Sequence, residues 1–252
     1  MRPLACVTGG RRGIGAAIAI ELAAQGHDVA LTDLGSADAD ATVAAIAAAG
    51  GRARLFASDL GRVEDHAELV RSIVAWGGPL GCLVNNAGIG SPSRGDLLDV
   101  RPEAYDQVLG VNLRGTFFLT QAVARHMAAG SGTAARSIIT VSSASAEMAS
   151  IERGEYCVSK AGLGMVTKLF ALRLAPLGIG VFEVRPGIIR TPMTAAVAGT
   201  YDQRIAEGLV PMGRWGSPED VARTVAALAS GQFAFATGSV VNVDGALSIP
   251  RL

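Results

Sequence analysis

The sequence predicts an α/β fold in which helices cover both faces of one parallel sheet of seven strands. Short apolar runs alternate with segments of helical periodicity along the whole chain. The apolar runs are continuous, which is typical of strands buried on both faces of a parallel sheet. Glycines stand where several of the helices should end, and prolines open two of them. Regular alternation of strand and helix is the order of a doubly wound sheet.

The apolar and helical patterns place each element. Strands are predicted at 4–8, 28–33, 53–58, 80–85, 136–142, 179–185 and 239–243. Helices are predicted at 13–25, 37–49, 62–76, 103–128, 154–175 and 217–229. No linker divides the chain, so residues 1–252 are expected to form a single domain. The long stretch 187–216 follows the end of a strand, where such folds bind ligands, and is predicted to be a lid.

Composition excludes several classes of partner. The 22 basic and 22 acidic residues balance, so no net field attracts nucleic acid or an anionic membrane. No uncharged apolar run reaches the ~18 residues of a membrane span, and the start of the chain does not look like a secretion signal. A cytoplasmic protein is expected. The scattered cysteines and histidines predict free thiols and no metal site. They are Cys6, Cys82, Cys157, His27, His66 and His126.

A glycine-rich turn follows the first predicted strand. It runs from Thr8 through Gly9, Gly13 and Gly15 into a helix rich in alanine and isoleucine. Glycines allow the backbone to approach a pyrophosphate, and a helix N-terminus offers unpaired N–H groups to the phosphates. Asp33 ends the second strand, 18 residues after Gly15, where such folds place an acid on the adenosine ribose. A dinucleotide site is therefore predicted, although Asp33 could instead cap a turn.

Further motifs occur in order after the glycine loop. Tyr156 and Lys160 stand at i and i+4 of a predicted helix and share one face, and Ser143 lies 13 residues before the tyrosine. The others are Asp59-Leu60, Asn85-Asn86-Ala87-Gly88, Asn112, Pro186-Gly187 and Thr191. On these motifs the chain resembles the short-chain dehydrogenase/reductases, in their compact single-domain branch, over nearly all of its length. The resemblance implies a Rossmann-type catalytic domain that interconverts a secondary alcohol and a ketone by hydride transfer with NAD or NADP.

The resemblance also implies a role for each motif. Tyr156 is the general acid/base, and Lys160 with the positive nicotinamide ring favours its phenolate and holds the nicotinamide ribose. Ser143 stabilises charge on the substrate oxygen, and Asn112 anchors a water beside the lysine. The expected cofactor contacts are Gly9, Arg12, Gly13, Ile14, Gly15, Asp33, Leu34, Asp59, Leu60, Asn86, Ala87, Gly88, Tyr156, Lys160, Pro186, Gly187, Ile189 and Thr191.

Three polar residues also have purely structural interpretations. Asn112 could cap a bend in its long helix, and Thr8 could tie the first turn to the fourth strand. Ser142 is expected to be the structural member of the Ser142-Ser143 pair.

The substrate is expected to be a small polar molecule of the sugar or polyol type. Glu147, Glu152 and Arg153 precede Tyr156, in a segment that borders the substrate mouth. The alternative is a 3-oxoacyl-acyl-carrier-protein reductase, the group to which general similarity is greatest. Those reductases lack an acid at the position of Asp33, and they carry Arg-Glu where this chain has Leu172-Arg173.

Other classes sharing parts of these motifs fit less well. An enoyl reductase needs a wider tyrosine–lysine spacing, and a sugar-nucleotide epimerase needs a different glycine loop. A non-catalytic nucleotide sensor would typically have lost the tyrosine or the lysine.

Cofactor choice and assembly complete the expectations. Arg12 could pair with the 2′-phosphate of NADP, but Asp33 would repel that phosphate, so NAD is expected to be preferred and NADP remains possible. Small residues recur in the predicted helices 103–128 and 154–175, which in the family pack across a twofold axis. A homotetramer with D₂ symmetry is therefore expected.

Overall fold

The computed structural model describes residues 2–37, 39–130 and 135–251. Its seven strands are all parallel and form one sheet in the order β3-β2-β1-β4-β5-β6-β7. The predicted strands are confirmed to within one residue at each end. They are β1 (Leu4–Thr8), β2 (Asp28–Asp33), β3 (Ala53–Ala57), β4 (Leu80–Asn85), β5 (Arg136–Val141), β6 (Ile179–Pro186) and β7 (Val240–Val243).

The strand order reverses beside β1, which places a crevice at that point. The chain runs outward from β1 through β2 to β3, then returns to build the other half of the sheet from β4. Connections leaving β1 and β4 therefore diverge at the carboxyl edge. Doubly wound sheets bind their ligands in this crevice.

Eight α-helices connect the strands within the described ranges. They are α1 (Gly13–Ala24), α2 (Ala39–Ala48), α3 (His66–Gly77), α4 (Pro102–Leu109), α5 (Thr116–Ala129), α6 (Gly154–Leu174), α7 (Ala198–Ala206) and α8 (Pro218–Ala229). None of these helices is both long enough and apolar enough to cross a membrane. The predicted helix over 37–49 begins at Ala39, and Asp38 lies outside the described residues.

Two helical segments differ from the predictions. The predicted helix over 103–128 is interrupted by one π-helical segment, Gly110–Gly115, which separates α4 from α5. The stretch 187–216 contains a 3₁₀ segment, Pro192–Val197, and then α7, which the sequence did not predict. Helix α7 is short and polar, and only Ile205 is buried among its nine residues, so it lacks the apolar stripe by which helices are recognised.

Hydrophobic cores lie on both faces of the sheet. Alternate residues of β1 enter different cores: Ala5 and Val7 pack with α1 and α8, whereas Leu4 and Cys6 pack with α3, α5 and α6. Burial on both faces explains the continuous apolar runs in the sequence. Burial also raises the pKa of the Cys6 thiol to about 12 and that of Cys82 to about 11, which keeps both protonated. All three cysteines are free, as predicted.

A strained turn follows β7. Ala246 adopts φ +69°, the one non-glycine residue with positive φ in the described chain. Asp244 holds this turn, because its carboxylate oxygens accept hydrogen bonds from the N–H groups of Ala246 at 2.9 Å and Ser248 at 3.0 Å. An alanine in the left-handed region clashes with its own backbone, which costs roughly 1–2 kcal/mol.

We expect Ala246→Gly to stabilise the protein. Relief of the strain exceeds the entropy that glycine adds to the unfolded chain, leaving a net gain of about 0.5–1 kcal/mol. This corresponds to a rise in Tm of about 2 °C, measurable by thermal unfolding. The control is Ala47→Gly, the same change at an exposed position of α2, which should lower Tm because glycine destabilises helices. A lower Tm for Ala246→Gly would contradict the strain argument.

Candidate active site

The turn after β1 brings backbone groups together too closely for side chains. A Cβ added at Gly15 would lie 2.1 Å from the carbonyl oxygen of Gly9, so only glycine fits there. Gly9 itself has φ +62°, and its N–H donates to the carbonyl of Thr32 at 2.8 Å. The glycines predicted for this loop therefore permit a bare backbone surface at the carboxyl edge of the sheet.

The N-terminus of α1 opens onto this surface. Arg12 precedes the helix and its side chain makes no capping hydrogen bond, which leaves the first-turn N–H groups, including that of Ile14, for other partners. Gly13 faces Thr191 and Pro192, since a Cβ there would lie 3.9 Å and 3.8 Å from their side chains. The space between the glycine loop and the start of 187–216 has the donors and the bare backbone that a dinucleotide pyrophosphate requires.

Thr8 joins the ends of β1 and β4. Its Oγ1 accepts hydrogen bonds from the N–H groups of Asn86 and Ala87, both at 2.9 Å. The Asn86 amide returns a hydrogen bond to the carbonyl of Thr8 at 2.9 Å. Thr8 thus ties the first turn to the end of the fourth strand, as considered from the sequence. This connection holds Ala87 close to Gly9.

Asp33 lies at the end of β2 beside an arginine that sequence reasoning missed. Its Oδ1 accepts the N–H of Leu34 at 2.9 Å and faces the Nε of Arg11 at 3.5 Å. Arg12, the residue expected to meet the 2′-phosphate of NADP, is exposed. The two adjacent arginines were the available signal, but which one turns toward β2 depends on the conformation of the loop.

Asp59 and Leu60 follow β3 at the same edge. Asp59 is exposed, and its Oδ1 accepts the N–H of Gly61 at 2.8 Å. The Leu60 carbonyl approaches the π-helical segment so closely that a Cβ at Gly115 would lie 2.3 Å from it.

Asn112 lies in the middle of the π-helical segment and is 1% exposed. Its amide exchanges two hydrogen bonds with the backbone of Ile89, at 2.8 Å and 2.9 Å, and donates to Ser159 Oγ at 3.1 Å. Through Asn112, the loop after β4 is therefore connected both to α6 and to the π-helical segment between α4 and α5. Gly88 is part of this loop, and a Cβ there would lie 3.1 Å from Asn112 Oδ1.

Tyr156 and Lys160 project from the first turns of α6, beside the end of β5. The Lys160 ammonium is buried, lies 5.6 Å from the Tyr156 ring centroid and donates to the Val141 carbonyl at 3.3 Å. Ser143 follows two residues after Val141, and its Oγ accepts the N–H of Ser145 at 3.0 Å. Three of the four predicted catalytic residues thus lie at the carboxyl end of β5 or on the helix beside it, and the fourth, Asn112, contacts that helix through Ser159.

A second cation beside Tyr156 was not anticipated. The Arg153 guanidinium carbon lies 5.5 Å from the Tyr156 ring centroid, so cationic groups of Arg153 and Lys160 both lie near the ring.

The segment after β6 closes the site on its remaining side. A Cβ at Gly187 would lie 2.7 Å from Asp244 Cβ, so this glycine permits the close contact between the end of β6 and the turn after β7. Ile189 is buried and pairs with Gly216 in an isolated parallel bridge, which closes the base of 187–216. Thr191 donates its N–H to Thr194 Oγ1 at 3.0 Å at the start of the 3₁₀ segment.

A bare glycine loop at the switch point of a doubly wound sheet, together with a tyrosine–lysine pair and a serine at the end of β5, is what a nicotinamide-dependent oxidoreductase requires. Residues 9–248 match a family model described as enoyl-(acyl carrier protein) reductase. The mouse (3R)-3-hydroxyacyl-CoA dehydrogenase is 37% identical over 97% of this chain and 95% of its own length. The chain belongs to the short-chain dehydrogenase/reductase family, whose members act on CH–OH groups with NAD or NADP.

Solved structures agree with this assignment. A 3-oxoacyl-[acyl-carrier protein] reductase from Brucella melitensis, in complex with NAD, is 52% identical over 100% of this chain and 99% of that one, with a TM-score of 0.97. A structure from Agrobacterium tumefaciens described as a 2-deoxy-D-gluconate 3-dehydrogenase, with bound NADP, is 33% identical over 97% of this chain and 96% of that one, with a TM-score of 0.86. The fold predicted from the sequence is confirmed.

Proposed function

We propose that this chain interconverts 3-hydroxyacyl and 3-oxoacyl thioesters, with NAD as the preferred cofactor. The observation that carries the chemistry is the group formed by Tyr156, Lys160 and Ser143, which lies next to the glycine cradle. The bound dinucleotide supplies the hydride acceptor or donor. The chain itself orients the two reactants and moves one proton.

Each catalytic side chain has a separate task in this proposal. Tyr156 exchanges a proton with the substrate oxygen, assisted by the positive charge of Lys160. Ser143 hydrogen-bonds the same oxygen and stabilises the charge that develops on it. Lys160 also holds the nicotinamide ribose, and Asn112 keeps the loop after β4 in place beside it.

The remaining predicted contacts line the cofactor's length. The phosphates lie at Gly9, Arg12, Gly13, Ile14 and Gly15. The adenosine end lies at Asp33, Leu34, Asp59 and Leu60. The nicotinamide end lies along Asn86, Ala87 and Gly88 and along Pro186, Gly187, Ile189 and Thr191. Residues 187–216 act as the substrate lid of a single catalytic domain, and the proposed location is the cytoplasm.

Exposed apolar side chains around the start of α6 favour an acyl substrate. Leu97 packs against Gly154, and Leu98, Met148 and Ile151 are exposed nearby, before Tyr156 in the sequence. An acyl chain gains free energy by covering such surface, whereas a polyol does not. The relatives from mouse and Brucella melitensis act on substrates of this class by name, which supports the same proposal.

The sugar or polyol substrate expected from the sequence rested on the charged residues that precede Tyr156. In the structure, two of these residues already contact other side chains. Glu147 pairs with Arg185, and Arg153 lies over the Tyr156 ring. Glu152 remains exposed in the same segment and is what still favours a small polar substrate. Turnover of acetoacetyl-CoA against a panel of polyols and sugar acids, with both cofactors, decides between them. A polyol preferred in kcat/KM would overturn the thioester proposal.

Two exposed apolar surfaces support the proposed D₂ homotetramer. One is a stripe on α6 formed by Val158, Met165, Leu169 and Leu172, all exposed at helical spacing. The other lies at the edge strand β7, where Phe235 and Val240 are exposed. Two separate apolar surfaces are what two twofold interfaces require.

We expect Tyr156→Phe to lower kcat by ~10²–10⁴ while cofactor affinity changes less than about threefold, because only the proton exchange is lost. Turnover and cofactor fluorescence titration measure the two effects. Lys160→Ala is the matched comparison, and it should weaken cofactor binding as well as the rate. Full turnover in a folded Phe variant would rule out this mechanism.

The wild type should prefer NAD over NADP by about tenfold or more in kcat/KM, equivalent to ~1.4 kcal/mol, because a fixed carboxylate repels the 2′-phosphate. Asp33→Ser should raise kcat/KM with NADP and lower it with NAD. Arg12→Ala is the comparison, and it should lower kcat/KM with NADP more than with NAD, because a guanidinium in the glycine loop can pair with the 2′-phosphate. An NADP-preferring wild type would show that Asp33 is not the selector.

Light scattering of the wild type should report the mass of four chains at micromolar concentration. The double variant Met165→Glu/Leu169→Glu places charges in the α6 stripe and should leave dimers joined through the other surface. Lys168→Glu, on the same helix, is a control for the added charge. A monomeric wild type would disprove the assembly.

A further inference from the structure

A chain of polar side chains runs beneath the active site, from the end of β5 through β6 to the substrate mouth. Glu183 is fully buried, and Ser142 Oγ donates to its Oε1 at 2.5 Å. Arg185 Nε donates to the same oxygen at 2.7 Å, and its Nη2 donates to Oε2 at 3.2 Å. The remaining arm of Arg185 donates through Nη1 to Glu147. Ser142 is thus the structural member of its pair, as expected from the sequence.

Stability alone does not account for these buried charges. Moving two ions out of water carries a large desolvation cost, and well-packed apolar residues of similar size are often equally stable. Burial acts to lower the pKa of the Arg185 guanidinium, but hydrogen bonds and attraction from Glu183 and Glu147 outweigh it and raise that pKa above its ordinary value. The ion pair is satisfied and fixed in direction, which suits a role in positioning.

Both ends of the turn that carries Ser143 are fastened to these β6 side chains. Before it, Ser142 donates its N–H to the Val184 carbonyl at 2.9 Å and its hydroxyl to Glu183. After it comes the 3₁₀ segment Ala144–Ala146, and then Glu147, held by Arg185. Ser143 therefore lies between two attachment points on β6. The residue before it is held by Glu183, and the end of the turn is held by Arg185, two positions further along the same strand.

The same pair also supports the helix that carries the tyrosine and lysine. A Cβ at Gly164 would lie 3.2 Å from both Arg185 Nη2 and Glu183 Oε2, so α6 passes directly over the pair. Gly164 is one helical turn after Lys160. A shift of the Glu183–Arg185 pair would therefore displace both the turn that carries Ser143 and α6.

We infer that Glu147, acting through Arg185 and Glu183, is a positioning residue that holds Ser143 against the substrate oxygen. The inference rests on the proposed catalytic role of Ser143. Glu147 touches no reacting atom in this scheme. Its function is to keep the end of the turn closed, because the hydroxyl must be placed to well within 1 Å to stabilise the developing charge.

The test is a double-mutant cycle between Glu147 and Ser143 in the full-length enzyme. Glu147→Ala should lower kcat by about tenfold to a hundredfold while KM and the cofactor Kd change less than about twofold. Ser143→Ala should lower kcat by ~10²–10³. In the Ser143→Ala background, removing Glu147 should have no further effect, since the residue it positions is already absent.

Two controls separate positioning from a general loss of structure. Glu147→Gln retains an oxygen that accepts from Arg185 and should restore most of the lost kcat. Glu68→Ala removes another exposed carboxylate that pairs with an arginine, on α3 and outside the proposed site, and should leave kcat unchanged. Because Glu147 is an exposed residue, its removal leaves the buried Glu183–Arg185 pair intact, and Tm should fall by less than about 3 °C.

Three results would overturn the inference. Equal loss of kcat from Glu147→Ala in both backgrounds would show that Glu147 acts independently of Ser143. A rise in KM alone would place Glu147 in substrate binding. If Ser143→Ala itself kept full turnover, the proposed function of Ser143 would fail first, and the positioning role would fall with it.

Discussion

Two hydrogen bonds accepted by one hydroxyl, Thr8 Oγ1, fasten the end of β1 to the start of the loop after β4. The crevice between these strands exists because the strand order reverses there, and without such a tie the two diverging connections would be free to separate. The glycines act on the same junction. Gly9 and Gly15 let the first loop fold back on itself, and Asn86 bridges both strands through its amide. The proposed cofactor cradle and the proposed catalytic corner are both positioned from this point.

The catalytic corner is built from two sides of that junction. The Asn112 amide connects the loop after β4 to α6 through Ile89 and Ser159, while Lys160 reaches back to Val141 on β5. Asn112 thus fixes the loop after β4 relative to α6, and Lys160 fixes α6 relative to the end of β5. Positive charge is concentrated here on Lys160, Arg153 and Arg185, and the carboxylates that compensate it lie on β6 and at the mouth.

Much of this architecture could be predicted because its signals are local. Continuous apolar runs mark strands buried on both faces, and the i, i+4 spacing of Tyr156 and Lys160 requires only helical geometry. The sequence suggested a bend at Asn112 but not its π-helical form, since Gly110–Gly115 fits a regular helical pattern and the distortion is tied to contacts of Asn112 with another loop. The choice between Arg11 and Arg12 likewise depends on loop conformation.

The Glu183–Arg185 pair did leave a signal in the sequence. Residues two apart in a strand point to the same face, and opposite charges inside a run that is otherwise apolar predict a buried ion pair. What the sequence lacks is the third partner, because Glu147 comes from a different segment.

The π-helical segment constrains how this chain can change its length. A π-helical segment holds one residue more than a regular helix would at the same place. Deleting one residue there would restore a regular helix and leave α5 in phase, because the segment already holds the surplus residue. Leu119, Val123 and Met127 would stay buried against the sheet, whereas a deletion within α5 itself would rotate the residues after it by about 100° and away from the core. Losing the extra residue would instead disturb Asn112, which makes its hydrogen bonds to Ile89 and Ser159 from within the irregular segment.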